Sequence, residues 1–376
     1  MHSILFLIVV LINFLFMMLT TLLPILIFEI TNSITEVGTV LTIFMISMIL
    51  VRIACMVKKV KPIKALIFGT SIFFIGFIII NIYSTQIYWY YIGSIFFGIA
   101  IGLAPPAMLT LLTTSSQAST KNLSIYNSCV AFASALSPLT GEYIYNNFDR
   151  IIYYIWTIGA FLIFMLSIIL IKILKNNEDV IQEKSISKND NLLNNRQHIS
   201  NFVILLIASV SYGAIVTYLP IYFNEINFSI GLYYLIFWSA YVIAQFINKY
   251  IYRALSERIM IVLLLIGLCI GELIISFATF KFMYFASALI YGISYGLIYN
   301  LFYTKASFIK EEQSKNNVYA VIGLMSYIGV GLAPTLLHPF LKVEIRMIFA
   351  FSTIYIVIAI FMHFFTQHKK IISMYK

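Results

Sequence analysis

The sequence is poor in charge. Only 10% of its 376 residues are Asp, Glu, Lys or Arg, while 61% are hydrophobic. A soluble domain carries about 25% charged residues, and no soluble fold covers so much apolar surface with so few. Aspartate is scarcer still, with Asp149, Asp179 and Asp190 the whole complement, and the five histidines are scattered. A metal centre or a membrane-embedded enzyme needs polar ligands or catalytic groups clustered at a recognisable spacing. None is present, which argues against an enzyme and against any metal or other cofactor. Cys55, Cys129 and Cys269 lie in apolar runs at unrelated spacing and read as small packing residues. A P-loop for a nucleotide-driven pump is missing too. The first apolar run has no basic flank and no small-residue cleavage site, and it is too long for a signal peptide. It is expected to be a first membrane span, with no removable targeting segment.

What the chain has in abundance is long apolar runs. Crossing a bilayer takes about 20 apolar residues. Twelve such runs are expected, over residues 3–28, 36–56, 65–84, 87–113, 125–146, 151–173, 201–224, 230–248, 259–280, 282–304, 317–340 and 345–366. The net charge of +10 raises the question of nucleic acid, but its distribution follows topology instead. Of 24 Lys and Arg residues, nineteen fall in the even-numbered loops, the central linker and the C-terminal tail. The odd-numbered loops hold only Arg150, Lys281, Lys342 and Arg346, and Arg52 lies inside a span. Short loops rich in Lys and Arg stay in the cytoplasm. A multi-pass protein of the cell (plasma or inner) membrane with both termini cytoplasmic is therefore expected. Its partners would be the lipid bilayer and a small-molecule substrate, with no nucleic acid, and a monomer is the expected working unit.

Residues 174–200 mix both charge signs with Asn and Ser and read as a cytoplasmic linker. They separate an N-terminal six-helix bundle (1–173) from a C-terminal one (201–376). The halves match at a nearly fixed offset. LPILIFEI, with Pro24 and Glu29, recurs 196 residues on as LPIYFNEI, with Pro220 and Glu225. GIAIGL from Gly98 recurs as GISYGL from Gly292, offset 194, and SALSPL with Pro138 as VGLAPT with Pro334, offset 196. Three matches in order at nearly one offset indicate two parallel repeats, a construction known among secondary transporters.

On these motifs the chain resembles the major facilitator superfamily over essentially its whole length, and its bacterial efflux-type members most. The first span, NFLFMMLTTLLPIL from Asn13, the late second-span Arg52, GSIFFGIAIGLAPPA in the fourth span and SYGAIVTYLPIYF in the seventh are similar to theirs. ASALSPLTGEYI resembles the Gly-Pro signature of antiporters, with Ser137 in place of the usual Gly, then Pro138 and Gly141. The resemblance implies an all-α membrane fold of twelve transmembrane helices in two pseudo-symmetric six-helix bundles. It also implies alternating access and, in antiporters, protons as coupling ion. Two departures weaken the antiport reading. The basic loop MVKKVKPIK lacks the family's Gly and Asp, and Ser94 stands where a proton-coupling Arg is usual.

Several residues are candidates for mechanism. Gly98, Ala100, Gly102 and Ala104 form a small-residue face that lets backbones approach, as static packing or as a moving interface. Pro138 and Pro334, with Gly141, are helix-kink candidates. Tyr291, Tyr295, Tyr299 and Tyr303 recur every four residues, on one slowly drifting helical face. The first three are read as lining a substrate cavity, with Tyr303 an interfacial anchor in the alternative reading. Asn13, Met17, Tyr212, Trp238, Tyr241 and Tyr327 lie near the middle of spans that line the cavity in the resembled family, and join the set. Glu272 is the deepest acid, about 13 residues into its span, where a charge is costly, and is the single best protonation candidate. Glu29 and Glu225 occupy equivalent outer positions and are read as a gate or coupling pair. Glu142 also lies near an outer end. Arg52 either snorkels to the cytoplasm or anchors an inner gate. His338 and His363 are expected at the membrane interface.

The expected function is a secondary active transporter exporting a small organic solute, such as a drug-like compound or a metallophore. An importer on the same fold is the alternative. The fifth-span Pro-Gly pattern favours export, and the missing fourth-span Arg does not.

Overall fold

The structure is a computed structural model that describes residues 2–57, 60–113, 119–148, 150–175, 196–254, 256–307, 312–342 and 344–374. Residues 176–195 of the expected linker and the basic pair Lys58 and Lys59 lie outside the described residues. The helices are α1 (His2–Thr31), α2 (Ile34–Val57), α3 (Pro62–Ile82), α4 (Ile87–Thr113), α5 (Ser119–Phe148), α6 (Ile151–Lys175), α7 (Arg196–Glu225), α8 (Ile230–Ala254), α9 (Glu257–Phe277), α10 (Lys281–Ser307), α11 (Glu312–Leu337) and α12 (Met347–Met374). A 3-10 turn, His338–Phe340, follows α11. The architecture is all-α, as the apolar runs imply.

Eleven of these helices are long and apolar enough to cross a membrane. The exception is α5, which opens STKNLSIYNSC and carries Ser134, Ser137 and Thr140 further along. Helix ends also extend past the apolar runs. Residues 196–200, expected in the linker, belong to α7. α12 continues to Met374, past His363. This residue is 2% exposed and sits three turns inside its helix, one residue before the apolar span Met347–Phe364 ends. His338 is exposed in the 3-10 turn.

By their internal contacts the residues separate into two units, Met1–Lys184 with Ser229–Leu235, and Ser185–Phe228 with Ile236–Lys376. The first seven residues from Ser229, which open α8, thus group with the first unit. Within the first unit α1 packs on α5 and α6, α3 on α4 and α6, and α2 on α4. Within the second, α7 packs on α11 and α12, and α9 on α10 and α12. The partners of α1 and α3 recur six helices on, with α7 and α9.

The repeated motifs explain why. A Cβ on Gly98 of α4 would lie 2.4 Å from the Phe44 carbonyl oxygen of α2. A Cβ on Gly292 of α10 would lie 2.5 Å from the Phe237 carbonyl oxygen of α8. GIAIGL and GISYGL are therefore the same device, a side-chain-free patch that brings two helix backbones together. The ends of α1 and α7 repeat as well. Asn32 (φ 50°) and Asn227 (φ 51°) both take the left-handed conformation just past their helices, which Asn tolerates better than most residues and which stops a helix. The kink motifs lie in tight contacts. The buried Ser137 donates a hydrogen bond to the Phe14 carbonyl of α1, and a Cβ on Gly141 would lie 2.6 Å from Met18 Cγ. In the second unit Tyr218 of α7 reaches the Pro334 carbonyl at 3.5 Å. Pro138 and Pro334 accordingly sit where their helices press on α1 and α7.

Candidate functional site

The second unit holds a continuous aromatic surface built on α10. Rings of Tyr291 and Tyr295 are 6.0 Å apart, Tyr295 and Tyr299 4.8 Å, and Tyr299 and Tyr303 6.3 Å. α7 contributes Tyr212, stacked on Tyr295 at 4.6 Å. α8 contributes Tyr241, 6.3 Å from Tyr295 and 6.5 Å from Tyr299, and Trp238, edge-on to Tyr241 at 5.2 Å. Tyr327 of α11 is half-buried in the same neighbourhood. Eight residues singled out in the sequence therefore meet in one place.

Their exposure is graded. Tyr291 is 0% and Tyr295 3% exposed, Tyr299 is half-buried, and Tyr303 is 37% exposed. The cause is helical geometry. Four residues turn a helix through about 400°, so a period-four stripe drifts by about 40° at each step and by about 120° over three. The stripe starts inside the packed unit and ends on its surface. Tyr295 and Tyr299 hydroxyls lie 3.4 Å apart. Rings with hydroxyls in this arrangement offer stacking, hydrogen bonds and attraction for an ammonium group.

Asn13 and Met17 belong to the first unit. Asn13 is 8% exposed and gives its amide hydrogen to the Val9 carbonyl at 2.7 Å. Met17 is half-buried, and its carbonyl accepts from Thr21 at 2.8 Å and Thr20 at 3.2 Å. Arg52 is half-buried in the last two turns of α2.

The acids sort into different settings. Glu29 is exposed and accepts a hydrogen bond from Tyr145. It borders an open cavity of about 530 Å³ that also takes in Arg150, Asn146, Asn147 and Tyr153. Glu225 is exposed at the end of α7. Glu272 is fully buried in α9. Glu142 was noted in the sequence only as lying near an outer end, and it turns out to be a structural node. It is half-buried in α5 and accepts from Ile230 N–H at 3.0 Å, Gly231 N–H at 2.9 Å and the Ser229 hydroxyl. Ser229 in turn caps α8, its Oγ accepting from Leu232 N–H at 3.1 Å. The first turn of α8 thus delivers two of its otherwise orphaned N–H groups to one carboxylate. Nothing local in the sequence marks this, because the partners are 87 to 89 residues away. A second pair missed in the sequence is Lys305 with Glu257, joining the end of α10 to the start of α9.

Among the described residues no group of three or more His, Cys, Asp or Glu comes together as a metal site. The residues that do converge are aromatic rings and hydroxyls, held on helices of membrane-spanning length. The chain belongs to the Major Facilitator Superfamily, whose family model matches residues 5–334. Solved structures agree on the fold. A POT family transporter in complex with a thioalcohol-conjugated peptide is 13% identical at a TM-score of 0.75, over 97% of this chain and 95% of that one. A POT family transporter in complex with 5-aminolevulinic acid is 12% identical at a TM-score of 0.77, over 97% and 95%. A point mutant of the peptide transporter POT is 11% identical at a TM-score of 0.74, over 98% and 94%. No curated protein matches the sequence.

Proposed function

We propose that the protein is a secondary transporter of the cell membrane that takes up a small, amino-bearing organic solute by alternating access. The two bundles, 1–173 and 201–376, are its moving halves, both termini are cytoplasmic, and it works as a monomer. The observation that carries the reading is the aromatic surface of Tyr212, Trp238, Tyr241, Tyr295, Tyr299 and Tyr327. Its rings attract an ammonium group and its hydroxyls hydrogen-bond a carboxylate or amide. Two of the solved neighbours were captured with a conjugated peptide and with 5-aminolevulinic acid, both of which carry such groups. Ser94, standing where efflux-type relatives have an Arg, removes one support for export. Export of a drug-like compound or metallophore is the second reading, favoured by Pro138 and Gly141.

The test is transport in membrane vesicles of both orientations. The panel is 5-aminolevulinic acid, a dipeptide, a dye, a metallophore and a sugar. Accumulation of an amino-bearing solute in right-side-out vesicles supports uptake. Accumulation of the dye or metallophore in inverted vesicles alone replaces it with export.

A further inference from the structure

Glu272 is fully buried, and neither carboxyl oxygen has a hydrogen bond of ordinary geometry among the described residues. It lies in the last third of α9, inside an apolar span where charge is costly. Its neighbours are hydroxyls from two other helices, Ser352 of α12 and Ser211 of α7, both buried and both within reach of the carboxyl. Ser352 has already committed its proton, donated to the Phe349 carbonyl at 2.7 Å. Ser211 Oγ lies 2.6 Å from the Tyr291 hydroxyl. α10 packs closely on α9 at this level, since a Cβ on Gly271, one residue before Glu272, would be 2.8 Å from Tyr291 Cβ.

The titratable group beside the carboxyl is Cys269 on its own helix, α7 and α12 present serines, and Tyr291 of α10 lies behind Ser211. The Lys305–Glu257 pair is at the helix ends, fifteen residues or about 22 Å along α9 from Glu272.

We infer that Glu272 is a proton-binding site of the second unit, and that Ser211 relays its charge state to Tyr291 and so to the aromatic surface. This rests on the transporter reading for its purpose but not for its chemistry. The neutral acid has one O–H to donate, and Ser211 can accept it while donating its own proton to Tyr291. The ionised acid accepts only. Ser211 must then turn its proton to the carboxylate, and its lone pairs can only receive the Tyr291 O–H. Loss of one proton at Glu272 therefore reverses the direction of the Ser211–Tyr291 hydrogen bond. Tyr291 stacks on Tyr295, which stacks on Tyr212, so the reversal is delivered to the rings proposed to meet solute.

The test reads the proton directly and needs no transported solute. Infrared difference spectra are recorded on the purified full chain in nanodiscs between acid and alkaline buffer, for the parent, Glu272→Gln and Ser211→Ala. Gln matches the neutral acid in shape, and thermal melting confirms that each variant is folded. The parent is expected to lose a protonated-carboxyl band and change a tyrosine band over the same pH interval. In Glu272→Gln both changes disappear. In Ser211→Ala the carboxyl change remains and the tyrosine change is lost. A parent spectrum with no buried-carboxyl change, or one unchanged in Glu272→Gln, overturns the proton site. A tyrosine change that survives Ser211→Ala overturns the relay. If Glu272→Gln fails to fold, Glu272→Asp replaces it. There the carboxyl band is expected to move in frequency, and an unmoved band counts against the site. Absence of transport in vesicles bears on the proposed function and leaves these spectra unaffected.

Discussion

Glu142 gives the sharpest mechanical prediction. Its carboxylate receives Ile230 N–H, Gly231 N–H and the Ser229 hydroxyl, and so holds the opening turn of α8. A hydrogen bond to a charged group contributes about 1.5–3 kcal/mol, and a carboxylate at a helix N-terminus about 0.3–1 kcal/mol. The site is half-buried, so water replaces part of what is lost when the carboxylate is removed. A net weakening of about 2–3 kcal/mol for this turn is expected in Glu142→Ala, and at 1.4 kcal/mol per decade that is about 30- to 150-fold. The assay is amide hydrogen exchange by mass spectrometry in detergent, because exchange reports local opening of a single segment. A peptide covering residues 228–236 should exchange about 30- to 150-fold faster in Glu142→Ala, with Glu142→Gln, which keeps one acceptor oxygen, in between. Peptides from α9 should be unchanged. Unaltered exchange at 228–236 in both variants would refute the tether. Equal acceleration throughout would mean that general unfolding, and not the tether, was being measured.

The repeat makes paired predictions. Gly98→Ala and Gly292→Ala each put a methyl group about 2.5 Å from a backbone oxygen of the facing helix, and each should cost about 1–3 kcal/mol by overpacking. Thermal unfolding in detergent checks this, and melting temperatures equal to the parent's would contradict it. Tyr295→Ala should lower uptake of an amino-bearing solute at least tenfold while the amount of protein in the membrane changes less than twofold, as read by transport and immunoblot together. Glu29→Gln and Glu225→Gln test the outer carboxylates. If these take part in coupling, at least one variant alters the dependence of transport on external pH, and two unchanged profiles move attention to Glu272.

Much of the fold could be read in the chain because membrane helices announce themselves by length and apolar composition. The recurrence of GIAIGL as GISYGL was legible for a physical reason, since Gly98 and Gly292 each hold a backbone contact that no larger residue fits. The period-four tyrosines were legible as one face, but their drift from buried Tyr291 to exposed Tyr303 was not, because it depends on which neighbours cover each step. The burial of His363 was not legible, because the apolar run ends near it whereas α12 continues to Met374. α5 is more polar than its companions, and its Ser137 spends its hydroxyl on an α1 carbonyl. The partners of Glu142 and Glu272 were hidden because they come from other helices. An unusual acid can be found by position alone, and the hydroxyls that give it meaning cannot.

The central claim is that the chain moves a small amino-bearing solute through the membrane. Purified protein in liposomes, loaded with unlabelled 5-aminolevulinic acid or dipeptide and diluted into the labelled compound, measures this by exchange and needs no driving gradient. The account predicts label uptake well above protein-free liposomes for at least one of the two, reduced at least tenfold by Tyr295→Ala. Uptake no greater than in protein-free liposomes for both compounds, by protein shown to be folded, would contradict it.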